Sequence, residues 1–393
     1  MRLRAVLLAG VLAASVAACT AAPPNHDVRS GPVSSGPTSP TAHDSSTAPR
    51  ACGDLDVRGR VTGGIGAAST REAWGIVGRT IRHTSDGGQH WRVQFRGRPG
   101  VQLQSMDVLD PTHVWLVAEH GLYWTVDGGR HWHVFVEHCP LIHSVDFVDA
   151  NHGYAVAGGF DHSLVRGGSL WHTADAGRHW QRLTAPASAQ SVCFADGNRG
   201  WLGAHGGIFA THDGGQHWRR QLNLTGETAN GVITVTCDRG AAWAELYGGG
   251  AMSQQAHIVF HLAGGRWQPV YAEQYFPHPG VRVPADSPGS YGGPIQAIGR
   301  AAVTIESCPA CIGPGSDGAA TAVALLAGST VTRLGSARYL QSPTGIAFPS
   351  RRIGWVIGSS YAPFGRKYQA QILRTTDGGR HWSVQLSTRF RAH

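Results

Sequence analysis

Residues 84–91 read TSDGGQHW, and the phrase returns as TVDGGRHW at 125–132, TADAGRHW at 173–180, THDGGQHW at 211–218 and TTDGGRHW at 375–382. An aspartate and a histidine around glycines resemble an active site or a metal site when met once. Met five times, they pose a different problem, because an enzyme has no use for five equivalent copies. The aspartates, Asp86, Asp127, Asp175, Asp213 and Asp377, are separated by 41, 48, 38 and 164 residues. A period near 40 marks a repeat architecture, and the long gap leaves room for degraded copies. LAGGRW at 262–267 keeps the glycines and Trp267, while LAGSTVT at 326–332 keeps almost nothing. With these two the count is seven, and six is the alternative.

Upstream of the boxes, a second signal keeps step. An aromatic residue sits in a short apolar run at Trp74, Trp115, Tyr154, Trp201, Trp243 and Trp355, and another run such as SMDVLD or SVDFVD precedes most of these. Each unit therefore reads strand, turn, strand, loop, strand, box, strand. Four short strands per unit of about 40 residues predict an all-β chain, a β-propeller of seven four-stranded blades or, alternatively, six. No apolar period of 3.6 points to a helical solenoid.

The boxes resemble the Asp-box, or BNR, repeat, S/T-x-D-x-G-x-x-W. It occurs in sialidases, sortilin-type Vps10 domains, xyloglucan-degrading propellers and photosystem II assembly factors. Five copies fit every defined position: Thr84/Asp86/Gly88/Trp91, Thr125/Asp127/Gly129/Trp132, Thr173/Asp175/Gly177/Trp180, Thr211/Asp213/Gly215/Trp218 and Thr375/Asp377/Gly379/Trp382. The resemblance covers roughly residues 57–388 and implies that the box is the turn between the third and fourth strands of a blade. Side-chain chemistry agrees with a structural turn. Asp accepts hydrogen bonds from nearby backbone amides, and Gly reaches conformations closed to other residues. Trp adds apolar surface that locks the hairpin to its blade. The boxes call for no cofactor or metal.

The N-terminus speaks of export. Arg2 and Arg4 precede the apolar run AVLLAGVLAASVAA, which ends at Cys19. Residues 1–18 read as a signal peptide, and VAAC resembles the bacterial lipobox. That resemblance implies a diacylated Cys19 and a body anchored to the outer face of the cell membrane, or a secreted one if Cys19 is not acylated. Residues 19–50, rich in Ser, Thr and Pro, form a tether without a core, and 51–393 form a single body. The chain carries +8, nearly all of it arginine, since Lys367 is the sole lysine. These charges are scattered, so nucleic acid is not expected as a partner.

Six cysteines remain in the body, an even number that favours disulfides after export. Cys308–Cys311, in CPAC, is read as a local staple. Cys193 and Cys237 fall on equivalent first strands of neighbouring units and are paired, leaving Cys52–Cys139 by elimination.

The separation from aromatic to box Trp locates the variable part. It is 17 residues for 74–91, 115–132 and 201–218, but 26, 24 and 27 for 154–180, 243–267 and 355–382. Units three, five and seven thus gain residues between their second and third strands. Strands alternate in direction, so these insertions share the face opposite the boxes, together with the long connection 271–291. Such a face commonly binds. Unit three places Phe160, His162 and Arg166 there. The connection adds Tyr271, Tyr275 and Arg282, and unit seven adds Tyr361, Arg366 and Tyr368. Aromatic and arginine side chains suit a protein or glycan partner. The expected function is a membrane-anchored, monomeric, non-enzymatic scaffold. The alternative is a sialidase-like glycoside hydrolase, which needs an arginine triad, a Tyr–Glu pair and an acid. Tyr271 or Tyr275 with Glu273 is the nearest match to such a pair in the sequence.

Overall fold

The computed structural model describes residues 64–391 apart from 100, 119–120, 136–141, 162–163, 240, 252–253, 274–282, 309–320, 339 and 362–366. The chain divides into two units, 1–49 and 50–393, and every described residue belongs to the second. Cys19, Cys52, Cys139 and Cys311 lie outside the described residues.

The body is a seven-bladed β-propeller. Seven antiparallel sheets of four strands follow one another along the chain, each built from four consecutive strands. The blades cover 65–96, 103–135, 142–183, 189–223, 232–272, 295–335 and 342–391. The boxless blades five and six are the units inferred from LAGGRW and LAGSTVT. Their third-to-fourth turns are closed by the pairs Ala263↔Arg266 and Ala327↔Thr330. A six-bladed ring is excluded. A single 3₁₀ turn at Gly226–Asn230 is the only helical element among the described residues.

Burial explains the strand sequences. A second strand is sandwiched between neighbouring blades, so both of its faces are covered. Ala73–Val77, Val114–Ala118 and Gly200–Ala204 are accordingly buried at every position. Fourth strands such as Arg92–Arg96 lie at the rim and carry charge. The buried aromatic of every second strand but that of blade six, fully buried at Trp74, Trp115, Trp243 and Trp355, fills the space between blades. Replacing one by Ala costs about 3–5 kcal/mol.

First strands line the inside of the ring, and that of blade one lies against those of blades two and seven. Side chains stitch several of these together. Asp107 Oδ2 accepts from Phe147 N–H at 2.7 Å, Asp146 Oδ2 from Phe194 N–H at 2.6 Å, and Gln296 Oε1 from Phe348 N–H at 2.7 Å. A disulfide joins Cys193 to Cys237, on the first strands of blades four and five, with Cα atoms 6.0 Å apart. Cys308 is also disulfide-bonded, to a partner outside the described residues.

One expectation needs correction. The extra residues of blades three, five and seven do not simply make loops. They extend the ladder between second and third strands, which reach 8–11 residues there against five in blades one, two and four. At about 3.3 Å per residue these hairpins stand roughly 10–20 Å taller than their neighbours. Backbone hydrogen bonding is the reason. Added residues in a hairpin keep their donors and acceptors paired by continuing the ladder.

Candidate functional site

The five boxes share one geometry. In the first, Thr84 Oγ1–H donates to Asp86 Oδ1 at 2.8 Å and accepts from Gly88 N–H at 2.9 Å. His90 N–H donates to Asp86 Oδ1 at 3.0 Å, and His90 Nδ1 lies 2.7 Å from Asp86 Oδ2. The same Thr and His contacts recur around Asp127, Asp175, Asp213 and Asp377. Gly129, Gly177, Gly215 and Gly379 repeat the part of Gly88, each amide donating to the threonine hydroxyl of its own box at 2.8–3.0 Å. The backbone amide of His217, its ring and the Thr211 hydroxyl hold the Asp213 carboxyl down at about 2. The equivalent amide and ring of His90 and His131 lower Asp86 and Asp127 too. Two consecutive glycines with positive φ, 79° and 89° at Gly87 and Gly88, shape the turn. These aspartates and histidines are engaged within their own turns, which are joints.

Two box positions do more than the sequence reading assigned them. The second concerned glycine also makes room for the preceding blade. A Cβ at Gly129 would come within 2.3 Å of the Gln94 side chain, one at Gly379 within 3.1 Å of Val323, and one at Gly215 within 3.2 Å of Leu183. At Gly177 the nearest atom is 3.6 Å away, so there the turn conformation alone calls for glycine. The box tryptophans pack beyond their own blade as well as within it. Each packs in the seam shared with the preceding blade. Trp91 lies against the core shared by blades seven and one, Trp132 against that of blades one and two, and Trp382 against that of blades six and seven. Nor do the five indoles bond alike. Trp180, Trp218 and Trp382 donate Nε1–H to the carbonyls of Gly177, Gly215 and Gly379 at 3.0–3.1 Å. Trp91 and Trp132 Nε1 are buried without a hydrogen-bond partner. The difference follows the first strand. Phe147, Phe194 and Phe348 meet the three bonded indoles edge-on. The register puts Ala67 and Val108 at the equivalent place in blades one and two, so no first-strand ring meets the indole there, and the ring that approaches Trp132 is Phe95 of the preceding blade, tilted at 5.3 Å.

Each joint also has outside partners. The Gly128 amide donates to Thr112 O, and the Gly214 amide to Asn198 O, tying the box to the first-to-second turn of its own blade. In blades two, three and four the preceding blade reaches the box through its second-strand aromatic. Trp115 Nε1–H donates to Ala176 O at 3.1 Å, and Tyr154 OH to Gly214 O at 3.2 Å. Trp74 acts through Gln94, whose Nε2 donates to Gly128 O at 2.6 Å. Trp115 stacks on Phe147, which meets Trp180, and Tyr154–Phe194–Trp218 repeats the pattern. The sequence shows the aromatic and the box; that the pair links successive blades emerges only from the ring.

Of the residues expected on the opposite face, His162, Tyr275, Arg282 and Arg366 lie outside the described residues. Phe160 and Arg166 fall on the tall hairpin of blade three, and Tyr361 and Tyr368 pair across that of blade seven. Tyr271 is a correction. It is fully buried in the fourth strand of blade five and donates to Glu306 Oε1 at 2.5 Å. A fourth-strand residue near the hairpin end of the blade is covered here because the connection folds back over it. Ser287 N–H donates to Ala272 O, and Ser290 and Tyr291 N–H both donate to Ser307 O. Glu273, the sequence-adjacent candidate, instead accepts from Gln254 Nε2 at 3.3 Å.

That fold-back covers a buried group of titratable side chains in the seam between blades five and six. Glu245 and Tyr247 come from the second strand of blade five (Ala241–Ala251), and His257 from its third (Gln254–Ala263). Tyr271 comes from its fourth strand (Arg266–Ala272), and Glu306 from the second strand of blade six (Ala301–Ser307). Glu245, His257 and Glu306 are 0–1% exposed. Glu306 Oε2 accepts from Ser287 Oγ–H at 2.7 Å and Gly289 N–H at 2.6 Å. Tyr247 OH lies 2.7 Å from Glu245 Oε2, and His257 Nδ1 lies 2.8 Å from Gln255 O. Burial pushes the Glu245 carboxyl up to about 8. For His257, burial works downward, but the Glu306 carboxylate beside it wins and raises the ring to about 9. Burial raises both tyrosines well above their ordinary value. A Tyr–Glu pair is therefore present, but it is sealed from solvent in this conformation. The sequence signal was a glutamate inside an apolar strand, AAWAEL and VTIES.

No protein-family model matches the chain, and no curated protein matches it. Solved structures do. "YCF48 bound to D1 peptide" matches at 16% identity and TM-score 0.47, over 72% of this chain and 81% of that one. "Crystal Structure of Mitotic Checkpoint Complex" matches at 10% identity and TM-score 0.51, over 74% and 84%. A polysaccharide lyase of family PL25, an ulvan lyase, matches at 10% and 0.44, over 71% and 82%. At such identities a likeness speaks to the fold alone, and a fold does not by itself fix a function.

Proposed function

We propose that the protein is an exported, non-enzymatic β-propeller of the Asp-box kind, which binds a protein or glycan partner through the face opposite its boxes. The observation that carries this reading is the set of tall hairpins on blades three, five and seven, all rising on one face of a ring whose blades one, two and four use five-residue strands. Regular repeats need no such hairpins for stability, so their cost in ordered backbone points to use. A signal peptide over 1–18, acylation of Cys19 and a tether over 19–50 would hold the body, as a monomer, at the outer face of the cell membrane. A Cys19→Ser protein found still in the membrane fraction would remove the anchor from this reading.

The test is to trim the blade three hairpin, replacing 158–168 with Asn-Gly beyond the Ala157↔Ser169 pair. The fourth strand of that blade is short, Gln181–Leu183, so its ladder survives. The trimmed body should melt with the parent yet lose its crosslinked partner or its glycan-array signal. Equal capture by both proteins overturns the binding face.

The glycosidase reading draws on the Tyr271–Glu306 pair. Its burial beneath 283–291 argues against access by a sugar. Hydrolysis of a fluorogenic sialoside or of xyloglucan by the purified body would reinstate it.

A further inference from the structure

The buried group between blades five and six has more acceptors than its hydrogen bonds satisfy. Gln255 O can only accept, so the proton on His257 Nδ1 is fixed by their 2.8 Å contact and Nε2 faces the cluster. The Ser287 hydroxyl proton goes to Glu306 Oε2, and the hydroxyl oxygen presents a lone pair to Nε2 at 2.9 Å. A positive species must stand between those two lone pairs. Glu306 Oε1, already bonded to Tyr271, lies 3.5 Å from Nε2. That is long for a hydrogen bond, but close to the ligand–ligand edge of about 3.4 Å expected when N and O ligands sit about 2.1 Å from a tetrahedral ion. Glu245 Oε1 is buried and makes no well-formed hydrogen bond, the Gly293 amide being its nearest backbone donor. One donor atom from each of Glu245, His257 and Glu306 falls within 4.8 Å of the others.

A proton on Nε2 answers Ser287 alone. It leaves Glu245 Oε1 buried without a well-formed hydrogen bond, a cost away from water. We propose that Glu245, His257 and Glu306 form an internal site for a divalent first-row transition ion, with Ser287 Oγ as its fourth neighbour. Two carboxylates, one neutral imidazole and a dication balance in charge. The mixed N/O set suits zinc or manganese better than calcium or magnesium. Tyr271, Tyr247, Gly289 and the Gln255 carbonyl form the surrounding hydrogen bonds that orient ligands at such sites. All three ligands are buried, so the ion's role is structural. It joins two strands of blade five to blade six and fixes the fold-back through Ser287. This inference does not rest on the partner-binding reading, although Ser287 belongs to the connection on the same face.

The experiment uses the exported full chain, stripped with a chelator, dialysed and offered Zn²⁺ or Mn²⁺ alone. The expected result is one ion per chain retained through dialysis, measured by mass spectrometry. The folding constant should also rise about 100-fold at a hundredfold excess of free ion over Kd. Glu245→Gln and His257→Gln lose both effects, while His131→Ala, at an exposed box position, keeps them. Absorption spectroscopy of the loaded wild type needs no variant to fold. It should show an N/O shell near about 2.0–2.1 Å with one imidazole. A folded wild type that takes up no ion and melts unchanged leaves only a proton in the site and overturns the proposal. A sulfur shell, or equal uptake by His257→Gln, does the same.

Discussion

Ala176 is the residue at which the box pays for variation. In four boxes its position holds glycine with φ between 70° and 79°, and Ala176 is forced to 64°. A left-handed conformation costs a Cβ-bearing residue about 1–2 kcal/mol, partly offset by alanine's smaller loss of backbone entropy. Ala176→Gly should therefore stabilise the body by about 0.5–1 kcal/mol, read as a higher melting temperature. No change would mean that packing of the Ala176 methyl compensates the strain. The box aspartates supply a second residue-scale outcome. Asp213 titrates at about 2 in the fold, against about 3.9 in an unfolded chain. A carboxyl whose folded value is depressed stabilises above its unfolded value and loses that effect as pH falls through the folded one. The box contribution to stability should thus be flat above about pH 4 and decline from there toward pH 2. In a Thr211→Ala, Asp213→Asn protein that decline should be shallower. An identical acid profile would show that the joints do not govern acid unfolding.

At the scale of elements, the Cys193–Cys237 bridge links the first strands of adjacent blades across a separation of 44 residues. Closing a loop of that length in the unfolded chain is worth about 4 kcal/mol by the chain-entropy estimate. Reduction, or Cys193→Ser with Cys237→Ser, should lower unfolding free energy by about that amount in denaturant titrations, without altering the slope attributable to the native core. A loss below about 1 kcal/mol would place the bridge among those that relieve little entropy. This pairing was legible because it depends on equivalence between repeats. Blade count and box geometry were legible for a related reason. Thr84, Asp86, Gly88 and His90 satisfy one another within a single turn, so their sequence carries the whole interaction. The box tryptophans were legible only as apolar mass. Whether an indole N–H finds the glycine carbonyl depends on a phenylalanine in the first strand, as Trp180 with Phe147 shows against Trp132. The blade five/six cluster was not legible. Tyr271 and Glu306 lie 35 residues apart, on different blades, and nothing local to either declares the other. Nor does spacing distinguish an insertion that loops from one that lengthens a hairpin, since both add the same residues. The fold-back of 283–291 over Tyr271 likewise depends on contacts with Ser307 and Arg333, far along the chain.

The whole ring raises the question of closure. Each blade uses four consecutive strands, so among the described residues no strand is borrowed from the other end to lock blade seven onto blade one. Side chains do that work. Arg374 Nη2 donates to Thr70 O at 3.3 Å. Ile372 lies so close to Gly75 that a Cβ there would approach its Cδ1 to 2.7 Å, and Gln385 sits 2.8 Å from the corresponding point on Gly88. Trp355, Ile357 and Ile372 complete an apolar core with Ile65, Ala73 and Val77, and Trp91 packs against it. Opening that one seam leaves every other blade with the neighbours it had, apart from one lost by each of blades one and seven. In a repeat protein stability is a sum of blade and nearest-neighbour contributions, so the perturbation should stay local. Ile372→Ala removes buried methyl groups at the seam and should cost about 2–5 kcal/mol. Hydrogen exchange should then rise in 65–96 and 342–391 while 189–272, held by the bridge between blades four and five, keeps its protection. Faster exchange spread evenly around the ring would mean instead that the seven blades unfold as a single unit, with closure as strong as any other joint.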